Sequence, residues 1–418
     1  MADVGLRTNY RWWICGLLFV ATTINYVDRQ TIAILKPNLS HDLRWSEADY
    51  GNIVFWFQCA YAAGYLFAGR LMDVIGLRRG YTLSVALWSA AAVGTAFVTT
   101  VSGFCGVRAA LGLAEGGNFP AAIKTVSEWF PKRERALATG LFNAGAPIGA
   151  ILTPAVVPFL TIHYGWRAAF IVTGSLGFLW LAWWWFGYGH PASHPRCSAV
   201  ELATIESDPA DPPTHVSWLG LLKYRATWAY VIGTALTSPI WWFYLFWVPD
   251  FLDKNYHVDL KHMGPPLIAV YLISDIGSVG GGWLSSRLLA LGWSLTASRK
   301  TALGLCALLV VPVILAAFSH QLWVATVAIG LAAAGHQGWS ANLYTLTSDT
   351  MPRRFVSSVV GMGGVVGGVG GMFYAKLVPF VLDRTHSYLL LFAFAPAAYV
   401  LGWLAIHLLL PRIEPAVE

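Results

Sequence analysis

Ser127-Glu128-Trp129-Phe130-Pro131-Lys132-Arg133, followed by Gly140, returns 221 positions later as Ser348-Asp349-Thr350-Met351-Pro352-Arg353-Arg354, followed by Gly361. In both copies a short acidic-Pro-basic loop joins a polar-studded apolar run to a Gly-rich one. Matched polar loops do not arise from chance similarity among apolar residues, so the chain reads as two copies of one unit. A second, degraded echo sets Gly69-Arg70-Leu71-Met72-Asp73-Val74-Ile75-Gly76-Leu77-Arg78-Arg79 against Gly282-Trp283-Leu284-Ser285-Ser286-Arg287.

Around these loops the 418 residues are 56% hydrophobic and only 11% charged, with a mean hydropathy of +0.57. A soluble surface needs about 25% charged residues, so the composition excludes a soluble enzyme, a nucleic-acid binder and a disordered chain. The 21 Trp, 17 Tyr and 22 Phe suit interfacial belts. The five cysteines have neither a CxxC nor a Cys/His ligand spacing and read as small hydrophobes, with no disulfide framework and no metal site. The first apolar run is too long for a signal-peptide core and lacks a small-residue cleavage site, so it is expected to stay as a membrane helix.

A helix needs roughly 20 apolar residues to cross the hydrocarbon, and twelve runs qualify: 12–34, 49–69, 80–100, 103–125, 135–160, 166–188, 227–250, 264–286, 299–319, 321–346, 356–382 and 387–410. The one long polar stretch, 189–226, divides them six and six. The expected domains are therefore an N-terminal six-helix bundle (1–188), a linker (189–226) and a C-terminal six-helix bundle (227–418). Seventeen Lys and Arg fall at both termini, in the even-to-odd loops and in the linker, against six in the opposite loops. By the positive-inside rule both termini and the linker are cytoplasmic, and the basic pI of about 9.0 requires no acidic macromolecular partner. Internal repeats of six spans mark transporters that alternate access to a site between the halves.

Gly69-x-x-x-Asp73-x-x-Gly76-x-Arg78-Arg79 closes the second span. Its glycines permit close helix approach, and its carboxylate can accept a helix dipole and pair with Arg, a latch for gating. An ordinary basic turn is the alternative.

Ionisable residues within spans cost about 2.5 to 3.5 kcal/mol each on insertion scales, and so mark function by default. Asp28 and Arg29 lie in span one, Arg108 and Glu115 in span four and Asp275 in span eight. Arg108 and Glu115 are close to two turns apart and share a face. A buried Arg stays charged and its fork matches a carboxylate, whereas a buried Asp or Glu can change protonation. Arg29 is therefore expected to bind a substrate carboxylate and Asp28 and Glu115 to carry protons, with Arg108 holding Glu115 (or Asp28) ionised until substrate arrives. The alternative is a static ion-pair network. Asp275 reads either as a second proton site or as a hydrogen bond closing a helix at the Gly-rich turn.

The tenth span carries His336-Gln337-Gly338-Trp339-Ser340-Ala341-Asn342, and the repeat offset puts His336 where Glu115 stands in the first half. His336, Gln337, Ser340 and Asn342 beside the Trp339 indole suit a sugar's hydroxyls and ring; interhelical hydrogen bonding is the alternative. Asn25, Tyr26, Gln58, Tyr61 and Asn143 could add hydroxyl contacts. Gly145-x-x-x-Gly149 and Gly363-x-x-x-Gly367-x-x-x-Gly371 are close-packing devices on spans five and eleven.

The Gly69–Arg79 pattern with the twelve-span plan resembles the loop signature of the major facilitator superfamily. Asn25-Tyr26-Val27-Asp28-Arg29, Glu115-Gly116-Gly117-Asn118-Phe119-Pro120, Ser127–Pro131, Trp241-Trp242-Phe243 and His336–Asn342 resemble its anion:cation symporter branch, and within it bacterial hexuronate transporters, over nearly the whole chain. The resemblance implies that Tyr26 and Arg29 bind a sugar acid, that Asp28 and Glu115 take protons beside Arg108, and that Tyr61 is a substrate contact. Ser238, where relatives often carry Asp, and Ala146-Pro147, in place of a small polar pair, are departures.

The reading is an all-α integral membrane protein, a proton-coupled importer of glucuronate and galacturonate in a bacterial inner membrane, working as a monomer without a cofactor. Another organic anion, such as an aldonate or an aromatic acid, is the rival. An enzyme would need a constellation such as HExxH or GxSxG, and a primary pump a P-loop; none is in the sequence.

Overall fold

The structure, a computed structural model, describes residues 9–131, 138, 141–207, 218–351 and 353–414, without the side chains of residues 69, 70, 73, 127, 218, 219, 286, 348 and 353–358. Twelve long helical spans follow the sequence's apolar runs: α1 (Tyr10–Leu43), α2 (Glu47–Ile75), α3 (Leu77–Gly94), α4 (Val101–Glu115, resuming as Asn118–Trp129), α5 (Gly145–Tyr164), α6 (Trp166–Gly187), α7 (Arg225–Tyr256), α8 (Gly264–Ala290), α9 (Leu295–Val310, resuming as Ile314–Phe318), α10 (Leu322–Thr350), α11 (Arg353–Thr385) and α12 (Leu389–Leu409). No strand occurs among the described residues. Backbone groups in hydrocarbon have no water to bond, and helices satisfy them internally.

Eight of these spans, α3, α5 to α9, α11 and α12, meet the length and apolarity needed to cross a membrane. The other four, α1, α2, α4 and α10, carry most of the ionisable and polar residues picked out for function, with Asp275 of α8 apart from them.

Local chemistry sets the ends. Thr100 and Ser294 cap α4 and α9 by accepting the backbone N–H of Gly103 and Ala297. Gly76 (φ 84°) turns α2 into α3 and Gly292 (φ 85°) turns α8 towards α9, the same junction in each half. Both adopt a backbone conformation that side chains disfavour. α1 runs past its expected end through Pro37, so Lys36, expected in a loop, is helical and buried. Lys254 likewise lies in α7 and not in the loop after it.

The chain forms two compact units, Met1–Ile32 with Cys59–Pro213, and Ala33–Gln58 with Thr214–Glu418. In the first, a Cβ on Gly64 of α2 would lie 2.1 Å from the Leu113 carbonyl oxygen of α4. In the second, a Cβ on Gly277 of α8 would lie 2.3 Å from Ala334 of α10. Leu113 and Ala334 are 221 positions apart, and Gly64 and Gly277 are separated by the offset of the Gly69/Gly282 echo. The repeat is therefore one of packing as well as of loops, with small residues bringing helix axes together. The Gly145/Gly149 face of α5 sits against Phe19 and Thr23 of α1, and Gly363, Gly367 and Gly371 of α11 against Tyr230, Ser238 and Trp242 of α7.

Candidate functional site

In the first unit the buried charges of α1 and α4 meet. Arg29 Nε donates to Glu115 Oε2 at 2.9 Å, and Nη2 lies 2.9 Å from the same oxygen. Nη2 also donates to Asn25 Oδ1, one turn back on α1, at 3.0 Å. The guanidinium carbon sits 4.9 Å from the Tyr26 ring centroid and 4.7 Å from that of Tyr61 on α2. Two aromatic faces of this kind stabilise a desolvated cation. Tyr26, Arg29, Tyr61 and Glu115 are thus one cluster built from three helices.

Arg108 makes its hydrogen bonds to the α1 backbone. Its Nη2 donates to the Arg29 carbonyl at 3.2 Å, and its Nη1 lies 3.5 Å from that of Asp28. It holds the α1 backbone, and the carboxylate of Glu115 is held by Arg29. Spacing along α4 fixes shared face but not which guanidinium contacts Glu115 directly; Arg108 remains a charged neighbour of both Glu115 and Asp28, as expected of it. Asp28 is buried with the Thr173 hydroxyl and the charges of Arg108 and Glu115 as electrostatic neighbours. Neither Asp28 carboxylate oxygen nor Glu115 Oε1 has a hydrogen-bond partner among the described residues. An ionised oxygen so placed is costly.

α4 breaks directly after Glu115. A Cβ on Gly116 would lie 2.5 Å from the Tyr65 backbone nitrogen and one on Gly117 2.4 Å from Ser84 Oγ. The pair of glycines lets α2 and α3 press against the break that carries the carboxylate.

In the second unit the polar run of α10 diverges. His336 stacks on Trp241 at 5.0 Å between centroids and 7° between planes. Its Nδ1 meets the Tyr399 hydroxyl and its Nε2 the Ser340 hydroxyl at 3.3 Å. Asn342, expected to read a sugar hydroxyl, instead donates to the carbonyls of Gly281 on α8 and Gly338, both at 2.9 Å. Trp339 is fully buried, edge-on to Tyr399 and against Gly402. His336 and Trp339, three residues apart on one side of α10, both reach Tyr399, while Asn342 turns to α8. His336 is held by Trp241, Tyr399 and Ser340, and Trp339 and Asn342 are engaged in helix packing. Asp275 is half-buried and makes no hydrogen bond among the described residues.

Of the expected latch, the side chains of Gly69 and Asp73 lie outside the described residues. Gly76 forms the α2/α3 turn, Arg79 is exposed, and Arg78 lies over the Trp185 ring at 4.7 Å and donates to the Trp185 carbonyl. In the second half Arg299 donates to Asp349 at 2.7 Å and to Ser285 at 2.5 Å.

One cluster had no counterpart in the sequence reading. Lys36 of α1 donates to both oxygens of Glu47 at 3.0 and 2.9 Å and meets Asp250 of α7 at 2.5 Å. Lys254 bridges the same two carboxylates, and the Tyr388 hydroxyl donates to Asp250. Two cations and two carboxylates form a neutral, largely buried knot. The only sequence signal was the i, i+4 spacing of Asp250 and Lys254.

Comparison with known proteins places this geometry in context. A family model described as Major Facilitator Superfamily matches residues 18–375. The chain is 30% identical to the hexuronate transporter of Escherichia coli (strain K12) over 98% of this chain and 95% of that one. It is 32% identical to the galacturonate transporter of Dickeya chrysanthemi over 72% of this chain and 89% of that one. A solved D-xylose-proton symporter shares the fold with a TM-score of 0.71, covering 98% and 99% of the two chains at 16% identity.

Proposed function

Because this chain belongs to the Major Facilitator Superfamily and is a multi-pass transporter of organic anions, we propose that it imports hexuronates, D-glucuronate and D-galacturonate, together with protons. The observation that carries the reading is the single-oxygen clasp of Arg29 on Glu115, with Glu115 Oε1 and both Asp28 oxygens lacking a donor among the described residues. Arg29 is permanently charged, and two carboxylates, that of Glu115 and that of the substrate, compete for it. Protonation of Glu115 weakens its hold, and the guanidinium, still flanked by Tyr26 and Tyr61, is released to a sugar acid in a bidentate pair. Deprotonation restores the clasp and expels the substrate. Asp28 is the second proton site, and Arg108, bonded to the α1 carbonyls, keeps both carboxylates in register. His336, Gln337 and Ser340 supply hydroxyl contacts.

The setting proposed is the bacterial inner membrane, with both termini cytoplasmic, a monomer as the working unit and two six-helix halves, 1–188 and 227–418, rocking about the 189–226 linker. The Gly69–Arg79 segment serves gating. Ser238 packs against Gly367 in the α7/α11 contact. It leaves a polar but uncharged position in that contact, and an aldonate is the second reading of the substrate, a D-galactonate transporter of Escherichia coli being 27% identical over 95% of this chain.

The test is uptake of radiolabelled glucuronate and galacturonate into proteoliposomes with and without an inward proton gradient, with Arg29→Ala as control. Gradient-stimulated uptake lost in the variant supports the reading. Counterflow without gradient stimulation turns the mechanism to exchange, and absence of uptake of both sugars withdraws the hexuronate assignment.

A further inference from the structure

A groove of about 500 Å³ runs between α9 and α12, within the second unit. One end of it is charged. Lys300 lines it at the start of α9, 8% exposed, and Nζ donates to the Pro411 carbonyl at 2.8 Å. No carboxylate lies within 4 Å of Lys300 among the described residues, and the groove lining contains no Asp or Glu. Its neighbour Arg299 is by contrast neutralised by Asp349. Thr301 and His407, the latter stacked on Trp403 at 5.5 Å, complete the polar end. The Trp403 indole is fixed by donating to the Lys300 carbonyl at 2.9 Å. Past Pro411 a second groove of about 490 Å³ is lined by Lys223, Arg225 and Arg412 with a single carboxylate, Glu414, a net excess of positive charge.

The other end is apolar. From Lys300 the lining passes Gly304 to Leu308, about 12 Å of helix axis. Gly304 leaves the groove its depth, because a Cβ there would lie 3.3 Å from Trp403 Nε1. A desolvated cation with two N–H bonds to give, at the mouth of a hydrocarbon-lined trough, lacks one thing: an anion attached to an acyl chain. Basic pockets between membrane helices on the cytoplasmic side have this complementarity for anionic headgroups, and the Lys and Arg distribution assigns the α9 start to that side.

We propose that the α9/α12 groove is a binding site for one anionic glycerophospholipid of the inner leaflet. The phosphate sits on Lys300 with Thr301 and His407, and an acyl chain lies over Gly304 against Trp403. Lys223, Arg225 and Arg412 in the adjoining groove add long-range attraction for the same headgroup. The occupant supplies a counter-ion that Lys300 does not find among the described residues, and in doing so ties α9 to α12.

Native mass spectrometry of the delipidated full-length protein, titrated with phosphatidylglycerol and separately with phosphatidylcholine, tests this without reference to transport. The wild type should bind one phosphatidylglycerol in preference to phosphatidylcholine. Lys300→Gln should weaken phosphatidylglycerol roughly fivefold, the worth of one basic side chain near an anionic surface, and leave phosphatidylcholine unchanged. Gly304→Leu should weaken both lipids, and it carries the test if Lys300→Gln does not fold. Equal binding of the two lipids by the wild type, phosphatidylglycerol affinity unmoved by both variants, or inorganic phosphate competing as well as the lipid would each overturn the proposal.

Discussion

Glu115→Gln isolates the competition for Arg29. Gln keeps the shape and one acceptor but cannot be ionised, so it fixes position 115 in the neutral state. In the wild type, Arg29 offers two N–H groups to Glu115 Oε2 at 2.9 Å. A hydrogen bond to a charged group contributes about 1.5 to 3 kcal/mol, and a substrate carboxylate must displace that interaction before it gains its own. Removing it should tighten glucuronate binding roughly 10- to 150-fold at a pH where Glu115 is ionised. Fold damage should be small, because Asn25 Oδ1 and the rings of Tyr26 and Tyr61 still surround the cation. Isothermal titration between pH 5.5 and 8.5 is the assay. If one proton accompanies each substrate, wild-type affinity falls by up to about tenfold per pH unit through the ionisation of Glu115, and the variant's profile is flat. The variant should exchange substrate in counterflow yet show no gradient-driven accumulation. A variant that binds no tighter than wild type at high pH and keeps the wild-type slope would remove Glu115 from the coupling.

Three further outcomes follow from packing and charge. Gly149→Val puts a Cβ 2.6 Å from the Thr23 carbonyl and 2.8 Å from Tyr26 Cβ; overpacking of this kind costs about 1 to 3 kcal/mol, so thermal unfolding in detergent should come at a lower temperature and uptake should fall with displacement of Tyr26. Lys36→Met leaves Glu47 and Asp250 sharing Lys254 alone, and breaking a buried pair costs about 3 to 5 kcal/mol; the double variant with Asp250→Asn should be more stable than Lys36→Met, and additive losses would show that the knot is not a unit. In the linker, burial holds His194 below its ordinary pKa of 6.5, where it stacks on Tyr10 at 4.6 Å and accepts from the Arg196 backbone N–H at 3.2 Å. The docked linker therefore binds fewer protons than the released one: docking is fully favourable above pH 6.5 and weakens as pH falls below it. Protease cleavage within 189–207 should accelerate on acidification and lose that acceleration in His194→Phe.

Much of the fold was legible because each clue was local or periodic. The 221-residue return of Ser127–Arg133 located the halves, and the same offset relates the Leu113 and Ala334 backbones that receive Gly64 and Gly277. The depth of Asp28, Arg29, Arg108 and Glu115 followed from counting residues along spans one and four. Azimuth between helices did not: nothing in the spacing of Arg108 and Glu115 says that the carboxylate turns to Arg29. The Lys36 knot escaped for a related reason. Lys36 and Lys254 stand near the ends of apolar runs, where a cation is normally assigned to a loop, and for Lys36 only tertiary contact with Glu47 and Asp250 makes a buried helical position tolerable.

The repeat also shows where the two halves part. Glu115 and His336 are equivalent positions, yet α4 breaks at the glycines directly after Glu115 while α10 runs unbroken through His336 to Thr350. The first half places an ionisable group at a helix interruption, beside a guanidinium and with an oxygen left without a donor. The second half places an imidazole mid-helix, stacked on Trp241 with both ring nitrogens engaged. A carboxylate so situated changes its interactions when it gains a proton, whereas an aromatic group so held can present an edge or a face without changing charge. On the proposed mechanism, this divergence gives charge chemistry to α1, α2 and α4 and leaves α10 to shape and hydrogen bonding. It follows that exchanging the two groups, Glu115→His with His336→Glu, should abolish gradient-driven uptake rather than transfer it, because among the described residues Trp241, Tyr399 and Ser340 surround position 336 and no guanidinium pairs with it.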